Sequence, residues 1–158
     1  MAVMVTPTEA MEDPAALAEA AVLGTIAIPG RGEQVRVARA FVAGVLRELA
    51  APDEAALDEA VLHNATLLTS ELVTNAIRHS RSGESGGSVG LVVLAVTDGI
   101  RVEVTDSGSA GGSPVVQDAI YTCDGHGLFL VEAVADQWGY RSAGTGTTVW
   151  FGLGLSGD

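Results

Sequence analysis

The sequence predicts an α+β fold, a two-layer sandwich with a mainly antiparallel, mixed sheet and helices on one face. Three observations predict it. Two stretches, 33–49 and 53–80, carry apolar residues at helical spacing. Two β-like runs, 89–96 and 100–105, flank Asp98-Gly99, a dipeptide that marks tight hairpins. A short helical run, 128–136, precedes two more β-like runs, 138–142 and 147–155.

Residues 1–23 are rich in Ala and acid, lack β-branched periodicity, and read as a flexible N-terminal tail. The expected domain covers 24–158. Gly24–Pro29 reads as a short strand ended by its proline. The first helix is expected to turn Val37, Phe41, Val45 and Leu49 inward as one i, i+4 stripe. Ala50-Ala51-Pro52 breaks it, and Asp53 is a candidate N-cap for the second helix. That helix keeps an apolar seam of Leu57, Val61, Ala65, Leu68, Leu72 and Ala76. Ser107–His126 is long and Gly-rich, and a loop of that length in a compact domain is functional or disordered.

The chain has 158 residues, about the size of one domain. Its net charge of −12 gives no basic surface for phosphate contacts, so DNA and RNA are excluded as expected partners. The single cysteine, Cys123, precludes an intrachain disulfide and fits a reducing compartment. Early acids at Glu9, Glu12, Asp13 and Glu19 argue against a signal peptide. No apolar stretch is long enough to span a bilayer. The expectation is a cytoplasmic protein with no membrane partner.

Three constellations carry chemistry. Glu71 and Asn75 lie four apart on the second helix, about 100° from its apolar seam, where polar groups can rim a pocket. An Asn amide oxygen is a hard neutral ligand able to complete a Mg²⁺ sphere otherwise made of phosphate oxygens and water. A carboxylate one turn away can orient or deprotonate a nucleophile. Asp106 ends a strand and is followed by Ser107-Gly108; it can accept a hydrogen bond from an adenine amino group while Gly108 permits close backbone approach. Gly125-His126-Gly127-Leu128 leads into a helix whose positive end favours an anion. Taken singly, these are also what a solvated helix face, an ordinary turn and a Gly-rich loop would give. A complete G-x-G-x-x-G and a Gly-Lys-Ser/Thr are both absent, so neither a dinucleotide fingerprint nor a P-loop is present.

Order and spacing decide between these alternatives. Glu71–His79, Val104–Gly108, Gly125–Leu128 and Gly146–Trp150 follow one another as four motifs that resemble the ATPase/kinase superfamily of DNA gyrase, heat-shock chaperones and sensor histidine kinases. Within it, the chain is most similar to short anti-sigma-factor serine/threonine kinases of the actinobacterial type. The resemblance covers about Gly24 to Leu155. It implies ATP and Mg²⁺ as cofactors, with Asn75 as metal ligand and Glu71 as general base. It implies that Asp106 and Gly108 hold adenine, that Gly125, His126, Gly127 and Leu128 wrap the phosphates, and that Thr147 supports Asp106 or a bound water. It further implies transfer of the ATP γ-phosphate to a Ser/Thr of an antagonist protein, a sigma factor as second partner, and a homodimer packed through the sheet.

Two departures stand out. Ala110 occupies a position where a second glycine is usual, and the expected lid, Ser109–Asp124, contains no Lys or Arg. Related kinases use a basic lid residue to stabilise the transferring phosphate. The uncharged lid therefore keeps a second reading open, a non-catalytic ATP-dependent protein-binding switch.

Overall fold

The computed structural model describes residues 8–9, 20–50, 58–79, 87–106, 126–143 and 146–155. In chain order the elements are β1 Thr8–Glu9, β2 Ala21–Pro29, α1 Val35–Ala50 with a short 3-10 turn before it, α2 Glu59–His79, β3 Ser88–Val96, β4 Gly99–Thr105, α3 His126–Val134, β5 Gln137–Ala143 and β6 Gly146–Gly154. They form one mixed sheet in the order β1-β5-β6-β4-β3-β2. β1 and β5 run parallel, and every other neighbouring pair is antiparallel.

Strand alternation sorts the sheet into two faces. Ile100, Val102 and Val104 of β4 stand beside Leu153, Phe151 and Val149 of β6 and beside Leu91 and Val93 of β3. This side forms the core with Ala38, Val42 and Leu46 of α1, Leu68, Leu72 and Val73 of α2, and Val131 of α3. The opposite side of β4 and β6 carries Arg101, Glu103 and Thr105 beside Thr148 and Trp150. Both predicted hairpins and the two-layer arrangement are therefore present.

Of the α2 seam, Ala65, Leu68, Leu72 and Ala76 are buried, joined by Thr69 and Val73; Val61 packs partly buried against the core, and Leu57 lies outside the described residues. The buried Thr69 hydroxyl donates to the Ala65 carbonyl at 2.7 Å, so this hydroxyl is satisfied within the core. The helix starts later than its sequence pattern indicates. It begins at Glu59, where the Asp58 carboxylate accepts the Ala60 N–H at 2.8 Å; Asp53 lies outside the described residues.

The α1 stripe is corrected. Val37, Phe41 and Val45 each lie one residue, about 100°, off the face that meets the core. Only Phe41 and Val45 of the stripe pack on the core, while Val37 is 37% and Leu49 38% exposed. The stripe that faces inward is Ala38, Val42 and Leu46, each fully buried. Phe41 and Val45 instead close over Gly24 of β2, where a Cβ would meet both side chains at 3.1 Å.

Element ends also shift. β2 starts at Ala21 rather than Gly24, and β1 falls within the stretch expected to be tail. At the first hairpin, Val96 pairs with Gly99, so the turn residues are Thr97 and Asp98. The left-handed residue is Asp98, at φ 65°, not Gly99. Gly99 serves a different need: a Cβ there would overlap the Leu153 carbonyl of β6.

Candidate functional site

The site is built where β4 ends. Asp106 follows Thr105 directly, and β6 runs antiparallel beside it. The ladder continues one rung beyond the strand: the Asp106 N–H donates to the Thr147 carbonyl at 2.9 Å. In return the Thr147 N–H donates to Asp106 Oδ1 at 3.0 Å. Main-chain and side-chain bonds together fix both the backbone and the carboxylate of Asp106. The support from Thr147 thus runs through its backbone N–H, and its side chain is buried. One rung below, the Thr105 and Thr148 hydroxyls share a 2.7 Å hydrogen bond.

Gly146 opens the fourth sequence motif, though sequence reasoning gave it no role of its own. A Cβ at this position would overlap the Asp106 carbonyl oxygen and come 3.3 Å from Oδ1. Only glycine lets β6 approach Asp106 closely enough to make the two bonds. The resemblance already set Thr147 against Asp106, forty residues before Gly146, but the close approach that requires glycine at 146 shows only in the structure.

Glu71 and Asn75 are both half-buried on α2. They flank the buried Leu72, Val73 and Ala76, as their offset from the seam requires. α2 packs against β4, β6 and α3, the elements that carry Asp106, Thr147 and the 126–128 segment. The described parts of the other three motifs therefore lie on or next to elements that pack against the helix carrying Glu71 and Asn75. Gly108, Gly125 and the expected lid lie outside the described residues. His126 and Gly127 are placed differently from expectation. The helix expected from Leu128 starts two residues earlier, so His126 and Gly127 join Leu128 in the first turn of α3, where main-chain N–H groups lack internal acceptors.

A second polar group lies across the sheet from the helices. Glu103 is buried and receives both guanidiniums of its neighbours: Arg141 donates to its two oxygens at 2.8 and 3.2 Å, and Arg101 approaches at 2.8 Å. Arg101 also stacks over Trp150 at 3.9 Å from the ring centre. The alternating Arg101-x-Glu103-x-Thr105 pattern was the available signal.

The donor set fits an adenine nucleotide. It supplies an anchored carboxylate acceptor at Asp106, a half-buried amide oxygen at Asn75, and a helix N-terminus at 126–128. Among the described residues, no group of three or more His, Cys, Asp or Glu side chains could hold a metal by itself. A cation at Asn75 would thus share phosphate oxygens and water.

The profile of the histidine kinase-like ATPase domain matches residues 28–153, most of the chain. The chain belongs to the histidine kinase-like ATPase domain family. An ATPase domain of this kind binds ATP. Its fold is shared with a Mycobacterium tuberculosis crystal structure of the RsbU and RsbW domains of Rv1364c, at a TM-score of 0.60 and 21% identity. That likeness covers 85% of this chain and 33% of the other, so this ATPase domain spans about a third of the longer chain. No curated protein matches it. No helix among the described residues is long and apolar enough to cross a membrane.

A first prediction arises from Gly146. Gly146→Ala is expected to push β6 away from Asp106, lowering ATP affinity at least tenfold and destabilising the domain by about 1–3 kcal/mol. Calorimetry and thermal unfolding check it. Unchanged affinity would show that the Asp106–β6 contact does not shape the nucleotide site.

Proposed function

We propose that this ATPase domain is a regulatory serine/threonine kinase of the anti-sigma-factor type, acting in the cytoplasm and in transcription regulation. It binds Mg·ATP, transfers the γ-phosphate to a Ser/Thr hydroxyl of an antagonist protein, and binds a sigma factor in the alternative complex. The observation that carries this reading is the anchored Asp106 beside α2, within a family match that spans all four motifs. Likeness to a chain that carries an RsbW domain supports it at the level of fold.

The residues would divide the work as follows. Asp106 accepts a hydrogen bond from the adenine amino group, with Gly108 shaping the adenine pocket. Asn75 offers its amide oxygen to Mg²⁺, whose chemistry when bound is to neutralise phosphate charge. The first turn of α3, with Gly125, His126, Gly127 and Leu128, presents N–H groups to the phosphates. Glu71, one turn before Asn75, takes the proton of the attacking hydroxyl. A non-catalytic ATP-dependent switch is the second reading, favoured by the absence of Lys and Arg from 109–124.

Asp106→Asn tests the adenine assignment cleanly. The Asn oxygen can still accept the Thr147 N–H, so the fold is kept while the other carboxylate oxygen becomes an NH₂ facing a donor. ATP binding is expected to weaken by about 1–3 kcal/mol, with no comparable loss of thermal stability. Calorimetry with ATP and ADP, with and without Mg²⁺, measures it. Wild-type protein that gives no heat at millimolar nucleotide would overturn the nucleotide reading as a whole.

A further inference from the structure

The face of the sheet turned away from the helices carries Val22, Leu94, Arg101, Gly152 and Gln137 in one row, and Thr25, Val92, Glu103 and Trp150 in the next. All three helices pack on the opposite face. The middle of this face is nevertheless closed to water: Leu94, Arg101 and Glu103 are each 7% exposed. Neighbours within the sheet explain part of this, because Arg101 stacks on Trp150 and Glu103 lies between two guanidiniums. They do not explain Leu94. It takes no part in the core of the helix side, and its neighbour on β2, Val22, is 62% exposed. A cover therefore crosses the centre of the face and leaves the β2 rim open.

One molecule closes this face by itself, so the cover belongs to the same chain. Topology says which part. The connections from β2 to α1, α1 to α2, α2 to β3, β4 to α3 and α3 to β5 all begin or end in the helix layer, and the rest join neighbouring strands, except one. That one runs from Glu9, beside β5, to Ala21 at the start of β2, on the opposite edge of the sheet. The helices block the route across their own side. The route across the other side spans five inter-strand spacings, roughly 24 Å, and the twelve Cα–Cα links from Glu9 to Ala21 reach about 40 Å.

Composition agrees. Among the described residues, this face presents Arg101 and Arg141 against Glu103, two positive charges against one negative. Residues 10–19 contribute Glu12, Asp13 and Glu19 with no basic residue, and set Met11 and Leu17 among alanines. Chain of that kind can lay its apolar side chains on Leu94 and Trp150 and turn carboxylates to the guanidiniums. We propose that the sheet face centred on Leu94, Arg101 and Glu103 is a docking surface for the chain's own residues 10–19, which cross it and shut it to other proteins. This goes beyond the kinase reading and does not depend on it.

Thiol labelling at position 94 tests it. Leu94→Cys is placed in a Cys123→Ser chain, so that the introduced thiol is the only one. Four proteins in that background are compared by their rate of reaction with a maleimide: the full chain, a deletion of residues 1–7, a deletion of residues 1–19, and the full chain with Met11→Asp and Leu17→Asp. The last two are expected to label about tenfold faster or more, and the 1–7 deletion to label as the full chain does. Circular dichroism checks that each is folded. If Leu94→Cys does not fold, acrylamide quenching of Trp150 in a Trp138→Phe chain makes the same comparison, with Trp150 as the sole indole. Equal accessibility in all four proteins would overturn the proposal. So would faster labelling after deletion of 1–7 alone, or labelling of the full chain that slows as protein concentration rises, which would place a second copy on the face.

Discussion

Glu71→Ala is expected to lower the rate of phosphoryl transfer at least a hundredfold while leaving nucleotide affinity within about tenfold, or about 1.4 kcal/mol. The asymmetry follows from position. Glu71 sits half-buried one helical turn before Asn75, on the helix that packs against β4, β6 and α3. The proposed ground-state contacts to the nucleotide run through Asp106, Asn75 and the first turn of α3, none of which is Glu71. A carboxylate that only accepts a proton from the incoming hydroxyl contributes in the transition state and little before it. Glu71→Gln should behave like the alanine variant, because the isosteric amide keeps the packing but cannot act as a base. Single-turnover phosphorylation of a cognate antagonist by wild type and both variants makes the measurement. Equal rates would remove Glu71 from the chemistry. Tight ATP binding by wild type without any transfer would move the assignment to the non-catalytic switch.

Phe151→Ala carries the largest expected cost in stability, about 3–5 kcal/mol. Phe151 heads the fully buried side chains by volume and lies at the centre of the β6 face, paired with Val102 on one side and Trp138 on the other. Alanine would leave a cavity between sheet and helices where neither β4 nor β5 can move inward, since both are held by continuous ladders to β6. A domain of this size should lose roughly 6–20 °C in Tm. Urea unfolding measures the change, and a cost below about 1.5 kcal/mol would show that the core yields around this position. β6 also positions Thr147, so the surviving folded fraction should keep its nucleotide affinity if the ladder to β4 persists.

The order of elements was legible from local pattern, because each signal depends on neighbours in sequence. The α2 seam repeats Ala65, Leu68, Leu72 and Ala76 at helical spacing, and the hairpins show as β-branched runs around turn residues. Four short motifs in the right order likewise identified the family, since each has to sit at the end of a strand or the start of a helix to work. What a linear reading missed falls into two kinds. The inward face of α1 depends on which side of the helix meets β2 and α2, and small residues such as Ala38 win there because close approach rewards small size rather than bulk.

The rest required the sheet. Asp106 and Gly146 are forty residues apart, and only the β4–β6 ladder makes one glycine the condition for holding one carboxylate. Arg101, Glu103 and Arg141 meet only through strand pairing, with Arg101 stacked on Trp150. Thr8–Glu9 gave no signal at all, because two residues carry too little pattern and their partner lies 131 positions away, by the Thr8–Gly139 register. Sequence by itself determined the family and the order of the elements. The tertiary structure decided which groups meet, because pairings across long separations depend on the register of the whole sheet and not on any stretch of it.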